Sequence, residues 1–209
     1  ILKVNSGNSL SRIKEAAAQT IHGSVKDALR LGCAAIGYTI YPASDAQYDM
    51  MTDLSELIAE AKSYGLASVV WSYPRGGSLS KQGETAMDVV AYAAHMAALM
   101  GAHVIKVKLP SAHLEQPEAK KVYEDRKIDI STQAKRVEHV VQSLFGGKRI
   151  VVFSGGEAKG ENAVFDDAKA IHQGGGNGSI IGRNSFQRPR EEALKLLDQV
   201  IKIYQGKDA

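Results

Sequence analysis

A single cysteine, Cys33, is all the sequence holds. No internal disulfide can form, which fits a reducing, cytoplasmic compartment. Placed after Gly32, Cys33 reads as a small core residue. No apolar run reaches about 18 residues, so no membrane span is expected. No signal peptide is expected. It begins on a strand-like segment without a methionine, and a further N-terminal part is therefore expected outside this sequence. No G-x-G-x-x-G follows the first strand, which counts against a dinucleotide fold. No G-x-S-x-G elbow is there to hold a serine nucleophile. His22, His95, His103, His113, His139 and His172 show no ligand spacing with carboxylates, so no metal is expected. Basic clusters are lacking as well. The net charge of +3 comes from residues scattered along helical segments. That pattern gives no nucleic-acid footprint and suits an anionic small substrate.

What remains is ordinary globular composition, 44% hydrophobic and 23% charged over 209 residues. It is read as one domain spanning residues 1–209. Strands are expected at 1–5, 34–41, 66–73, 103–110, 149–154 and 179–184. A turn is expected at Ser6–Ser9, followed by a polar stretch to about residue 22. Ser24 caps a helix over 25–31, stopped at Gly32. Further helices are expected at 45–64, 85–100, 131–145, 162–173 and 190–204, with an excursion over 111–129 that reads as a lid or a subunit contact. In the first turn of the 85–100 helix region, Glu84 and Asp88 suit the helix dipole. Hydrophobic, β-branched strands alternating with helices predict parallel strands covered by helices. Six such units are visible where a closed barrel needs eight. The expected fold class is therefore α/β, a (β/α)8 TIM barrel lacking its N-terminal one or two βα units in this chain. An open doubly wound sheet is the alternative.

Three constellations carry chemistry. The strand Leu66–Tyr73 runs into Pro74-Arg75-Gly76-Gly77. Alternation puts Val69, Trp71 and Tyr73 on one face, with Arg75 just beyond, at the end where α/β folds bind ligands. These aromatics form either a site wall or a core cluster, and Arg75 either grips a phosphate or makes a surface ion pair. Cations nearby are expected to lower the Tyr73 pKa. Lys106 and Lys108 stand two apart on the fourth strand. On one low-dielectric face, repulsion between them and desolvation both favour the neutral form, so that at least one becomes a neutral amine fit for Schiff-base chemistry. The alternative is a pair of lysines on an exposed edge. Ser154-Gly155-Gly156 and Gly182-Arg183-Asn184 follow the last two strands, where barrels hold phosphate. Alone, each also fits an ordinary βα turn.

In order along the chain, S-V-K-D-A-L-R-L-G-x-x-A-I-G-Y-T-I-Y, W-S-Y-P-R-G-G, G-A-H-V-I-K-V-K, V-F-S-G-G and I-I-G-R-N together resemble the archaeal-type class I fructose-bisphosphate aldolases, within the deoxyribose-phosphate aldolase-like barrels. The resemblance implies a lysine-dependent aldolase that cleaves fructose 1,6-bisphosphate without metal or other cofactor. It implies Lys106 as the Schiff-base lysine and Tyr73 as the proton donor and acceptor. Trp71, Arg75 and Lys108 would line the substrate site, and Ser154, Gly155, Gly156, Gly182 and Arg183 would bind phosphate. A homo-oligomer with a phosphorylated sugar as its substrate is also implied. So are two alternatives: a related lysine-dependent aldolase, thiolase or synthase, and a non-catalytic sugar-phosphate-binding barrel. The family's aspartate loop on its first strand is not in this sequence.

Overall fold

The computed structural model describes residues 1–8, 10 and 16–207. Ser9 of the expected turn and residues 11–15 of the polar stretch lie outside the described residues.

The elements in chain order are β1 (Leu2–Lys3), β2 (Asn5–Ser6), β3 (Thr20–Ile21), α1 (Val25–Arg30), β4 (Ala35–Ile40), α2 (Gln47–Ser63) and β5 (Ala67–Ser72). They continue with a 3-10 turn at Gly83–Thr85, α3 (Met87–Leu99), β6 (Val104–Val107), α4 (Pro117–Asp125), α5 (Gln133–Ser143) and β7 (Ile150–Ser154). The chain closes with α6 (Glu161–Gln173), β8 (Ser179–Ile180), α7 (Arg183–Phe186) and α8 (Arg190–Tyr204).

Six strands form one parallel sheet in the order β1-β4-β5-β6-β7-β8. Each strand pairs with the next main-sheet strand in the sequence. A doubly wound sheet reverses its strand order at a switch point. This one never does, so it is an arc of a (β/α) barrel and the doubly wound alternative is ruled out. The first expected strand divides at Val4. Leu2 and Lys3 pair with β4, while Asn5 and Ser6 turn to pair antiparallel with β3. Among the described residues, no helix is long and apolar enough to cross a membrane.

Strand alternation separates two faces. Ile36, Tyr38, Ile40, Val70, Ile105, Val107, Val151 and Phe153 are each at most 1% exposed and pack against the helices. Leu54 and Ile58 of α2, Val90 and Ala94 of α3, and Val137 and Val140 of α5 meet them. The alanines of α3 let that helix lie close to the sheet, and the Ser72 hydroxyl donates to the Ala93 carbonyl at 2.8 Å. The opposite, concave face carries Lys3, Gly37 and Val69 in one line of register partners and Thr39, Trp71, Lys106 and Val152 in another.

Two local expectations change. The strand expected at 179–184 stops at Ile180, and Arg183 and Asn184 open the short helix α7. The first residues of the 111–129 excursion are anchored by hydrogen bonds, and α4 follows within it. Asp88, 8% exposed, accepts from the Glu115 and Gln116 N–H groups at 3.0 and 2.9 Å. Glu115 accepts from both the backbone and the hydroxyl of Ser80. Met87 N–H donates to the His113 carbonyl at 2.8 Å. Asp88 does stand in the first turn of α3, but it is engaged by this loop, and Glu84 lies in the 3-10 turn ahead of that helix.

Candidate active site

Thr39, Trp71, Lys106 and Val152 are register partners across four adjacent strands, so they form one layer of the concave face. A layer below, Lys3 pairs with Gly37 and Gly37 with Val69.

Lys106 sits in the middle of the upper layer, only 9% exposed. Among the described residues it makes no hydrogen bond and no ion pair. Its Nζ lies 6.0 Å from the centroid of the Tyr73 ring. Burial pushes its pKa below the ordinary lysine value, because taking an ammonium out of water disfavours the charged form. Of the two expected causes, repulsion and desolvation, only the second acts. β6 ends at Val107, and Lys108 beyond it donates to Glu84 Oε2 at 2.7 Å. With Lys108 held by a carboxylate, desolvation of Lys106, rather than repulsion between the two, is what favours the neutral amine.

Tyr73 extends the β5 pairing by one residue, its N–H donating to the Ile40 carbonyl at 3.1 Å. Burial pushes its phenol above the usual tyrosine value, and a hydrogen bond with Ser154 only partly opposes this. The lowering expected from neighbouring cations is therefore reversed. Desolvation outweighs them, and Tyr73 rests as a neutral phenol.

Trp71 lies against Gly37. A Cβ on that glycine would come within 2.7 Å of the indole Cζ3, so the ring occupies space that only glycine leaves open on β4. The guanidinium of Arg75 stacks 5.2 Å from the Tyr41 ring centroid and makes no ion pair among the described residues. The surface salt bridge considered for it is absent there. Its partner is an aromatic face.

The two glycine loops come together. Arg183 Nη2 donates to the Gly156 carbonyl at 3.1 Å. Gly156 has φ of +69°, a left-handed conformation suited to glycine. Asn184, 2% exposed, clamps the loops. Its amide donates to the carbonyls of Gly155 and Glu157, both at 2.9 Å, and accepts from Lys159 N–H at 2.8 Å. The loop of Ser154, Gly155 and Gly156 beyond β7 is thus joined to the turn of Gly182 and Arg183 beyond β8.

Sequence reasoning missed four polar residues that build this arrangement. Glu84, 8% exposed, bridges Lys108 and Lys81. Asn184 was read only as the end of a motif. Lys3 and Asn5 sit on the concave face of β1 and its continuation, where burial pushes the Lys3 pKa down to about 8. The signal for Lys3 was present. A lysine inside I-L-K-V-N poses the same question as one inside V-I-K-V-K. Among the described residues, no group of three or more His, Cys, Asp or Glu side chains could hold a metal ion.

Comparison with known proteins shows the family and the fold. A family model described as DeoC/LacD family aldolase matches residues 1–188. The class 1 fructose-bisphosphate aldolase of Thermoproteus tenax is 33% identical over 184 residues, covering 88% of this chain and 60% of that protein. The fructose-bisphosphate aldolase/6-deoxy-5-ketofructose 1-phosphate synthase of Methanocaldococcus jannaschii is 28% identical over 227 residues, covering 99% and 66%. One solved structure is an archaeal fructose-1,6-bisphosphate aldolase with its catalytic lysine covalently bound to the carbinolamine intermediate of the substrate. It superposes with a TM-score of 0.80 at 30% identity, over 98% of this chain and 70% of that one. The chain thus spans less than two thirds of the length of these curated relatives.

Proposed function

The chain belongs to the DeoC/LacD family of aldolases, and on that premise we propose that it is a Schiff-base aldolase cleaving fructose 1,6-bisphosphate reversibly to dihydroxyacetone phosphate and glyceraldehyde 3-phosphate. The observation that carries this reading is Lys106, a buried amine with no polar partner among the described residues, beside a neutral tyrosine. A lysine kept for structure would be paired, and one kept for binding an anion would gain from staying charged. A desolvated, unpaired amine suits nucleophilic attack.

Neutral Lys106 Nζ attacks the C2 carbonyl. The carbinolamine loses water to give an iminium, which withdraws electrons from C3. Cleavage of C3–C4 sends that electron pair into an enamine as the C4 hydroxyl gives up its proton and the aldehyde leaves. Protonation of C3 and hydrolysis free dihydroxyacetone phosphate and the amine. Tyr73, resting as a phenol, works first as a donor. In cleavage it protonates the carbinolamine hydroxyl as water leaves, and the phenolate so formed takes the C4 hydroxyl proton as C3–C4 breaks; condensation runs the same steps in reverse. Trp71, Arg75 and Lys108 line the sugar. The joined loops of Ser154, Gly155, Gly156, Gly182 and Arg183 take a phosphate, which orients C2 toward Lys106.

The test is borohydride reduction in the presence of dihydroxyacetone phosphate, followed by peptide mass spectrometry. A reduced adduct on Lys106 is expected, and none in Lys106→Met. An unmodified Lys106 peptide in protein that turns over the substrate would end the Schiff-base reading. The two activities in the name of the Methanocaldococcus relative favour a second reading, in which the same lysine serves a synthase reaction on a related ketose phosphate. A panel of aldehyde acceptors separates the two.

A further inference from the structure

Lys3 is a second buried amine on the concave face, and its surroundings differ from those of Lys106. Its ammonium donates to the Asn5 backbone carbonyl, to Asn5 Oδ1 at 2.5 Å and to Gln19 Oε1 at 3.2 Å. It lies 5.8 Å from the centroid of the Trp71 ring. Asn5, fully buried, is itself rigid. Its side-chain amide donates to the Thr39 carbonyl at 2.9 Å and accepts from the Thr39 N–H at 2.8 Å, continuing the sheet pattern with a side chain. Thr39 is the register partner of Trp71, and Trp71 that of Lys106. The Lys3 side chain therefore climbs one layer, from the level of Gly37 to the level of the indole.

An ammonium has three N–H bonds, and here three acceptors take them. None is left over for a ligand oxygen. What remains is the positive charge, and it faces the π system of Trp71. Gly37, the register partner of Lys3, leaves beside the indole a gap that a single methyl group would close. The Gln19 that anchors Lys3 also donates to the Tyr41 hydroxyl at 2.8 Å, and Tyr41 carries Arg75 on its ring.

We propose that Lys3 is a positioning residue that, together with the gap at Gly37, fixes the Trp71 indole as the substrate-facing wall beside Lys106. This rests on the reading of Trp71 as part of an aldolase site, and the experiment keeps the two questions apart. Trp71 is the only tryptophan in the chain, so its emission reports this contact without any assay of activity. Emission maximum and acrylamide quenching are measured for the wild-type chain, Lys3→Met, Lys3→Arg and Gly37→Ala, with circular dichroism to confirm folding. Lys3→Met and Gly37→Ala are expected to red-shift the emission and raise the quenching constant about twofold, while Lys3→Arg, which keeps the charge, stays near wild type. In fructose 1,6-bisphosphate cleavage, KM is expected to rise about two- to fivefold in Lys3→Met with a smaller change in kcat, and Lys3→Arg to restore it.

A folded Lys3→Met with unchanged emission and quenching would overturn the proposal. So would a Lys3→Arg indistinguishable from Lys3→Met, or a spectral shift with no change in KM. If Lys3→Met does not fold, Gln19→Ala, which removes one anchor and keeps the charge, decides together with Gly37→Ala. Unchanged emission in both overturns it. A wild-type protein inactive on every ketose phosphate counts against the aldolase reading alone, and the spectral comparison still decides for Lys3.

Discussion

The Nζ of Lys108 lies 2.7 Å from Oε2 of Glu84, while Lys106, two residues earlier, faces no carboxylate among the described residues. Two lysines so close in sequence are thereby made chemically unlike. One is an anchored cation at the rim. The other is an unpaired amine inside. Burial alone would raise the Glu84 carboxyl, but hydrogen bonds from Lys108 and then Lys81 carry its pKa below the ordinary glutamate value. Glu84 is thus charged at neutral pH and able to hold Lys108.

Glu84→Gln should therefore loosen Lys108 and destabilise the fold by about 1–3 kcal/mol, since a half-buried ammonium loses its charged partner. For a chain of this size that is a melting temperature lower by about 2–4 °C per kcal/mol. The native carboxyl is depressed, so its contribution is present above about pH 4.5 and is lost as pH falls through its folded value. Thermal melts from pH 7 to pH 3 should show the difference between wild type and variant shrinking on the acid side. A constant difference across that range would mean that charge is not what Glu84 supplies.

Tyr73→Phe removes the phenol and leaves the ring that lies beside Lys106. Turnover of fructose 1,6-bisphosphate should fall about 100-fold or more, the usual scale for losing a general acid, with little change in substrate affinity. Borohydride trapping of the lysine adduct should survive, because it does not require C–C cleavage. Because burial raises the native phenol, an ultraviolet titration should find the same tyrosinate absorbance appearing near pH 10 in the wild-type protein and in Tyr73→Phe.

How much of this could be read beforehand varies by scale. β-α alternation announced the barrel arc, because hydrophobic strands between helices leave parallel pairing as the economical solution. The period of two grouped Trp71 with Val69 and Tyr73 on one strand and Lys106 with Lys108 on the next, and the register is what brings Trp71 and Lys106 side by side. What could not be read was long-range pairing. Nothing local marks Glu84 as the partner of Lys108, 24 residues away, or Asn184 as the clamp on Gly155, 29 residues away. The expected lowering of the Tyr73 pKa failed for the same reason. Its pKa depends on how deeply the fold buries it, and a count of nearby cations does not contain that information. β8 was overextended because Ile181-Gly182 continues an apolar run that tertiary packing turns into the start of α7.

Lys3 makes a linkage prediction with a definite sign. Its folded pKa is lowered to about 8 from 10.5, and burial is the cause. Between those values the unfolded chain holds more protons, so stability rises with pH. Below about pH 8 the lysine is charged in both states and its burial costs stability. Above 10.5 it is neutral in both. Melting curves for wild type minus Lys3→Met should therefore climb between about pH 8 and pH 10.5. Subtracting the two curves cancels Lys106, whose pKa moves in the same direction. A flat difference would place the Lys3 amine in water.

Asn184 supplies the last test, since it touches the proposed phosphate site only through the backbone of the loop beyond β7. Asn184→Ala leaves the carbonyls of Gly155 and Glu157 and the N–H of Lys159 without their partner. The expected cost is about 1–3 kcal/mol in stability. The loop bearing Gly155 and Gly156 would no longer be held against Arg183, so affinity for inorganic phosphate should weaken by about tenfold, a loss of about 1.4 kcal/mol. Asn184→Asp keeps the shape but turns a carboxylate toward two carbonyl oxygens, and it should lose more than Asn184→Ala. Isothermal titration with phosphate measures both. If the two variants bind phosphate as the wild type does, the site between Ser154 and Arg183 is not where the phosphate sits.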